Sequence, residues 1–164
     1  MKTWTQAARD GLWPGMASGL LSLGVLAWRG RKETGSVFAP VNAPSHWLWS
    51  DRALRRDDAS WRYTGVGVLV HQGAAVFWGV LYERFFASRR LAHPLHADLR
   101  DAALATAAAA TVDLVMTPRR FTPGFEKRLS ARGLVWVYAG FALGVALGSR
   151  AVRRHGVRGE GSSS

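Results

Sequence analysis

Residues 11–28 read GLWPGMASGLLSLGVLAW and contain no charged side chain. Three more apolar blocks follow along the chain, at about 64–82, 102–117 and 133–149. A hydrocarbon core about 30 Å thick needs about 20 residues of helix, and three of the blocks reach this length once their aromatic and basic flanks are included. The apolar runs are continuous rather than alternating, which indicates helices and not barrel strands.

The third block is the weakest candidate for a membrane span. It is mostly alanine and contains Asp113, so we expect it to insert with help from its neighbours. The sequence therefore predicts an all-α integral membrane protein, with residues 1–149 forming one four-transmembrane-helix bundle. We expect interfacial segments between helices 1 and 2 and between helices 3 and 4. Residues 150–164 are basic, then rich in Gly and Ser, and are predicted to be disordered.

The composition leaves two broad classes of protein. The 164 residues include 22 Lys and Arg, 11 Asp and Glu, eight Trp and no Cys. The absence of Cys excludes disulfides, thiolate metal ligands and a Cys nucleophile. A net charge of +11 fits either a nucleic-acid binder or a membrane protein with basic loops. Because the basic residues are spread among the block ends instead of one face, we expect no nucleic-acid partner.

A lipid bilayer is the expected partner. Blocks 11–28 and 133–149 lack the polar face that a soluble helix needs, and most Trp residues lie in block ends or connecting segments. Basic residues occur in similar number on both predicted sides, so they do not orient the chain but suit anionic headgroups. The predicted location is a plasma or inner membrane rather than an outer membrane.

Small residues recur at spacings of four in the predicted spans. Gly140, Gly144 and Gly148 form a doubled GxxxG stripe, and Gly15 and Gly19 form a shorter one. Helices in lipid associate through close backbone approach, for which such stripes are suited. We expect these glycines to pack the bundle, and the alternative is a homo-oligomer or a larger membrane complex.

Two ionisable side chains lie within the predicted spans, His71 and Asp113. An ionisable group in the hydrocarbon is costly and is therefore a candidate functional residue. The topology brings the two residues to a similar depth, so we expect them to form an intramembrane polar pair. Tyr138 has a comparable depth, but it points away from the glycine stripe and is left out of the predicted cluster.

The connecting segments on the same side supply further candidates. These interfacial residues are His46, Asp51, Arg119, Arg120 and Glu126. Their spacing gives no metal motif, and no metal is predicted. On the other side, His93 and His96 with nearby Asp98 and Asp101 are interpreted as a solvated loop, and Glu83-Arg84 as an interfacial ion pair of little energetic value.

The sequence leaves three functions open. The first is a structural or accessory membrane subunit, with no enzymatic activity expected. The second is a small proton- or ion-linked transporter that uses His71 and Asp113. The third is a membrane-embedded metal or cofactor site, although the sequence identifies no particular cofactor. Glycine-rich phosphate loops, nucleophile elbows and catalytic triads are not recognisable in the chain.

Overall fold

The computed structural model describes residues 2–87 and 93–160, with side chains as far as Arg154. These residues form helices and connecting turns, without a strand among them. The four long helices are α1 (Trp4–Glu33), α2 (Trp61–Phe85), α3 (Leu95–Thr111) and α4 (Ala131–Glu160). The first turn of α2 is π-helical (Trp61–Gly65), and a π-helical turn (Val112–Met116) extends α3.

Local sequence signals account for the helix ends. Thr3 and Gln6 form a capping box at the start of α1, with each side chain bonded to the other's backbone N–H. The Ser60 side chain accepts from the Tyr63 N–H at the start of α2. Such caps satisfy N–H groups that have no partner within the helix. Pro94 immediately precedes α3, and Thr117-Pro118 follows its last turn.

Helix α1 lies at the centre of the arrangement. It packs along both α2 and α4, whereas α3 packs on α4 and hardly contacts α2. Glycines allow these close approaches: a Cβ on Gly15 would lie 2.5 Å from Val76 Cα, and one on Gly144 would lie 2.4 Å from Ser18 Cα. The predicted glycine stripes therefore lie between helices of the same chain. Gly148 likewise lies against Pro14, Gly19 against Gln72 and Gly140 against Val25.

The long helices bury small residues and expose large apolar ones. On α1 the buried face consists mainly of Gly, Ser and Ala. Every long helix has an exposed leucine, with exposed fractions between 43% and 71%: Leu20, Leu69, Leu104 and Leu143. This distribution is the reverse of that in a water-soluble bundle, and it is typical of helices that associate in lipid.

Within the described residues, three helices are long and apolar enough to cross a membrane. They are Trp4–Glu33, Trp61–Phe85 and Ala131–Arg154. Their composition suggests a membrane protein. Helix α3 is not among them, because it has only 17 residues and its first turns carry charges. The all-helical prediction is confirmed, and a fourth span is not established by length and composition.

Two connectors that contain short helical turns close one end of the bundle. The first connector (residues 34–60) contains the helical turns Ala39–Asn42, Ala43–Ser45, His46–Trp49 and Ser50–Arg55. The second connector (residues 117–130) contains Phe125–Lys127. Pro40 and Pro44 each lie in the first turn of a helical segment, where proline is tolerated because no N–H bond is lost.

The C-terminal tail differs from its prediction. Helix α4 continues to Glu160, into the region predicted to be disordered, and residues 161–164 lie outside the described residues. The reason lies in Arg150 and Arg153, which bind Asp98 near the start of α3. A tail that appears simply basic in the sequence thus provides cations for a buried carboxylate.

The end of the bundle opposite the connectors is held by buried ion pairs. Asp98 is 1% exposed and binds His93, Arg150 and Arg153. Burial raises the pKa of its carboxyl, but the hydrogen bonds from His93 and Arg150 and the charge of Arg153 outweigh burial, so the net pKa lies below its usual value. The interpretation of this segment as a solvated loop is wrong.

A second ion pair at this end joins the first turns of the chain to α2. Lys2 Nζ lies 2.5 Å from Glu83 Oε2 and 2.9 Å from Asp10 Oδ2. Glu83 is 1% exposed, so its interpretation as an exposed interfacial pair with Arg84 is also wrong. No local sequence pattern indicates this contact, because Lys2 and Glu83 are 81 residues apart in the chain.

Candidate binding cavity

A cavity of about 430 Å³ lies between α2 and α3. It occupies the space where these two helices fail to pack against each other, and α4 and the connectors complete its wall. Most of its lining is apolar. Seven aromatic residues take part: Trp47, Phe77, Trp78, Phe121, Phe125, Tyr138 and Phe141. Concave, mainly apolar sites with few polar groups are typical of small-molecule binding.

His71 is one of the polar groups in the lining, and α1 fixes its orientation. Ser22 Oγ lies 2.9 Å from His71 Nε2 and 2.7 Å from the Ser18 carbonyl oxygen. Because the serine hydroxyl donates to that carbonyl, its oxygen accepts from Nε2–H. The hydrogen-bond network therefore assigns the imidazole tautomer with a lone pair on Nδ1. The His71 ring also hydrogen-bonds the Gly19 backbone.

Asp113 is the carboxylate in the lining. It lies in the π-helical turn at the end of α3. The Tyr138 hydroxyl of α4 donates to Asp113 Oδ2 over 3.3 Å, and the Trp78 side chain of α2 approaches the same carboxyl. Both of these neighbours are uncharged donors. No Lys, Arg or His forms an ion pair with Asp113 among the side chains of residues 2–87 and 93–154.

His71 and Asp113 were predicted to form a pair, and the structure places both on the wall of the cavity. They do not share a hydrogen bond across the described part of the chain. Instead His71 binds Ser22 of α1, and Asp113 binds Tyr138 of α4. The similar depth predicted for His71 and Asp113 is consistent with their lining one cavity. The separation of α2 and α3 prevents direct contact between them.

The connectors cover one end of the cavity. Trp47 and Phe121 meet edge to face with ring centroids 5.8 Å apart, and both line the cavity. The Thr122 carbonyl joins the two connectors, because it accepts from Trp47 Nε1 at 2.9 Å and lies 2.8 Å from His46 Nε2. This end of the cavity is consequently closed by two segments that are bonded to each other.

The predicted interfacial residues lie outside the lining. His46 is buried in the contact between connectors, and Asp51, Arg119 and Arg120 are exposed. Glu126 Oε1 accepts from the Thr122 hydroxyl. These residues therefore do not form a ligand set around His71 and Asp113. Among the described residues no group of three or more His, Asp or Glu could hold a metal ion, so the metal-site alternative gains no support.

The mouth of the cavity lies on the side of the bundle. Three of its lining residues are exposed, Gly73, Phe77 and Phe121, and the exposed fractions of the two phenylalanines are 58% and 49%. Gly73 and Phe77 lie near the middle of Trp61–Phe85, and Phe121 lies in the second connector. The part of the opening that α2 forms is therefore about as far from one end of that helix as from the other.

Sequence reasoning selected His71 and Asp113, two polar residues of the lining, and missed Tyr138. Tyr138 was left out because it lies opposite the glycine stripe of α4. In the structure that stripe faces α1, so the opposite side of α4 faces the cavity and α3. The same reasoning, reversed, would have found Tyr138 and Phe141. No sequence pattern indicates that the connector residues Trp47, Phe121 and Phe125 line the cavity.

The chain matches no protein-family model, and no curated protein or solved structure matches it either. The site must therefore be interpreted from its own geometry and chemistry.

Proposed function

We propose that the chain is a four-span membrane protein that binds a small, mainly apolar molecule between its helices. The cavity of about 430 Å³ between α2 and α3 is the observation that carries this proposal. Protein interiors are close-packed and contain few voids larger than a water molecule. A subunit with a purely structural role, the function first expected from the sequence, would need no such space.

Contacts at both ends of α3 support a fourth crossing. Near its start, Asp98 binds Arg150 and Arg153 in the last part of α4. Beyond its end, Thr122 binds His46 in the connector at the opposite end of the bundle. Helix α3 and its π-helical turn therefore run the length of α4. Residues 95–116 are sufficient for about 30 Å of helix, the thickness of a hydrocarbon core.

The packing of α3 explains how a weakly apolar segment is held in lipid. Ala102 and Ala105 are buried in a cluster with Val145 and Ala146 of α4. Small residues allow the helix backbones to approach closely, and van der Waals packing then stabilises the pair. Asp113 faces the cavity rather than the outside of the bundle, as expected of a carboxylate within a span.

The position of the mouth indicates how a ligand reaches the cavity. Gly73 and Phe77 lie near the middle of a spanning helix, at the level of lipid tails in a bilayer. The connectors cover the end of the cavity that lies at their end of the bundle. A ligand that enters between α2 and α3 therefore comes from the lipid phase, which favours a lipid-soluble molecule.

The four-span topology can be tested by labelling single cysteines, because the chain has no native Cys. Variants Ser50→Cys, Arg120→Cys and His96→Cys place one thiol in each connector and one in the first turn of α3. With a membrane-impermeant maleimide applied to sealed vesicles, we expect positions 50 and 120 to react from one side and position 96 from the other. Labelling of positions 120 and 96 from the same side would disprove the fourth crossing.

Ligand binding can be tested with adamantyl diazirine, an apolar photoreactive probe. We expect saturable labelling of cavity residues such as Val70 and Val112, with competition by unlabelled adamantane. Ala74→Trp fills the cavity and should abolish this labelling. Ala108→Trp adds the same side chain at an exposed position of α3 outside the lining, so it should leave the labelling intact. Labelling that never saturates, in wild type and both variants alike, would overturn the proposal.

A further inference from the structure

We propose that the cavity selects a lipophilic organic cation, such as a hydrophobic amine or quaternary ammonium compound, through Asp113 and the surrounding aromatic rings. This inference rests on the proposed function and adds a ligand class to it. It depends on the charges in the lining, the aromatic walls and the lateral mouth.

The lining contains a carboxylate without a matching cationic side chain. The chain carries 22 Lys and Arg, yet none of those in the described part of the chain lines the cavity. Asp113 interacts with Tyr138 and Trp78, which are uncharged donors. A carboxylate in an apolar environment is costly unless an opposite charge accompanies it. A cationic ligand would supply that charge, whereas an anionic ligand would meet a carboxylate and no compensating cation.

The walls suit the apolar part of such a cation. Seven of the lining residues are aromatic, and the face of an aromatic ring attracts a cation within about 6 Å of its centre. Several of these rings already hold one another in edge-to-face pairs, including Phe77 with Trp78 and Phe125 with Tyr138. Rings fixed in this way lose little conformational entropy when a ligand binds.

His71 adds a hydrogen-bond acceptor. Its Nε2–H is engaged with Ser22, so the lone pair of Nδ1 is available to an N–H group of an amine. A quaternary ammonium group has no N–H and would use the aromatic rings and Asp113 alone. The lateral mouth requires in either case that the ligand partitions into lipid, which apolar substituents around the charge make possible.

The test uses three probes that share one phenylbutyl tail and differ in charge. They end in trimethylammonium, in the neutral tert-butyl isostere, or in carboxylate. Binding is measured by equilibrium dialysis on the full chain in nanodiscs of zwitterionic lipid, with empty nanodiscs correcting for partition. We expect wild type to bind the cation about tenfold or more tightly than the neutral probe. The carboxylate probe should bind most weakly.

Variants at two acids identify the source of the preference. Asp113→Asn keeps the side-chain shape and removes the charge, so the cation and the neutral probe should bind within about twofold of each other. Asp113→Glu keeps the charge and should retain the preference. Asp51→Asn is the matched control, because Asp51 is exposed and outside the cavity. Circular dichroism and size-exclusion chromatography verify that each variant folds.

The outcomes separate this inference from the proposed function. Equal binding of the cation and the neutral probe by wild type, lost in Ala74→Trp, would leave the cavity as a binding site and overturn cation selection. A preference that survives in Asp113→Asn would also overturn it. If no probe binds above the empty-nanodisc level, cation selection fails, and only the adamantyl diazirine labelling decides the proposed function.

Discussion

Arg153 Nη2 donates to both carboxylate oxygens of Asp98, at 2.6 Å each. Arg150 Nη1 binds the same carboxylate at 2.9 Å. These contacts join the first turn of α3 to the last part of α4, and the side chains of Asp98 and Arg153 are 1% and 7% exposed. The one long helix that is not a candidate span by length and composition is therefore fixed by charge at one end.

Asp98→Asn should destabilise the folded protein. The substitution leaves two arginines close together with no carboxylate, and removal of one member of a buried pair costs about 3 to 5 kcal/mol. Thermal unfolding in detergent, followed by circular dichroism, measures the effect. Arg100→Gln is the control, since the Arg100 side chain is 70% exposed and its pairing with Asp101 contributes little. Similar unfolding temperatures for the two variants would contradict this prediction.

The same carboxylate predicts the response of stability to acid. The pKa of Asp98 in the folded protein lies below its usual value of 3.8. The charged form is therefore favoured by folding, so its contribution is complete above the unfolded pKa and is lost as the pH falls through the folded pKa. We expect the unfolding temperature of wild type to fall more steeply than that of Asp98→Asn below about pH 4. Parallel curves would refute the assignment.

Two glycine substitutions should have opposite effects on stability. A Cβ on Gly144 would lie 2.4 Å from Ser18 Cα, whereas one on Gly24 would meet nothing within 4 Å. Gly144→Ala should therefore destabilise the bundle by about 1 to 3 kcal/mol through overpacking. Gly24→Ala should be neutral or stabilising by up to about 1 kcal/mol, because alanine favours helix more than glycine does. Chemical unfolding in mixed micelles measures both.

Ser22→Ala should weaken ligand binding without emptying the cavity. The substitution removes the hydrogen bond that orients His71, and a neutral hydrogen bond contributes about 0.5 to 1.5 kcal/mol. We expect the affinity for a phenylbutyl probe that ends in dimethylammonium, whose N–H can donate to His71, to fall about two- to tenfold. Thr111→Val removes an exposed hydroxyl of α3 outside the cavity and should not change it. An affinity equal in both variants would show that the orientation of His71 is irrelevant to binding.

His46→Leu should loosen the contact between the connectors. The His46 ring lies 2.8 Å from the Thr122 carbonyl oxygen, which joins the two segments. We expect faster amide hydrogen exchange in residues 119–125, because local opening becomes less costly. His96→Leu, at an exposed position of α3, should leave exchange in this segment unchanged. Unaltered exchange in His46→Leu would mean that the other contacts between the connectors, such as Trp47 with Thr122 and Arg128 with Leu54, hold this segment without His46.

The sequence predicted the features that depend on short-range patterns. Continuous apolar runs located the long helices, and glycines at spacings of four located their close contacts, such as Gly144 against Ser18. Depth along the helices brought His71 and Asp113 to one cavity. Each of these inferences needed only the helical period and the length of a span.

The features that sequence reasoning missed depend on partners distant in the chain. Lys2 and Glu83 are an ion pair only because α1 and α2 are antiparallel, and Asp98 is buried only because α4 extends to Arg153. The cavity itself follows from the failure of α2 and α3 to pack together. A pattern of residues along one segment contains no information about such a gap.

The dependence of α3 on α4 has a consequence for biogenesis. Ribosomes make α3 before α4, so the alanine-rich segment leaves the translation machinery while its principal partner is still unsynthesised. Asp98 is synthesised about fifty residues before Arg150 and Arg153, which form its ion pairs. The cavity accordingly forms only after α4 has been synthesised and α3 has packed against it.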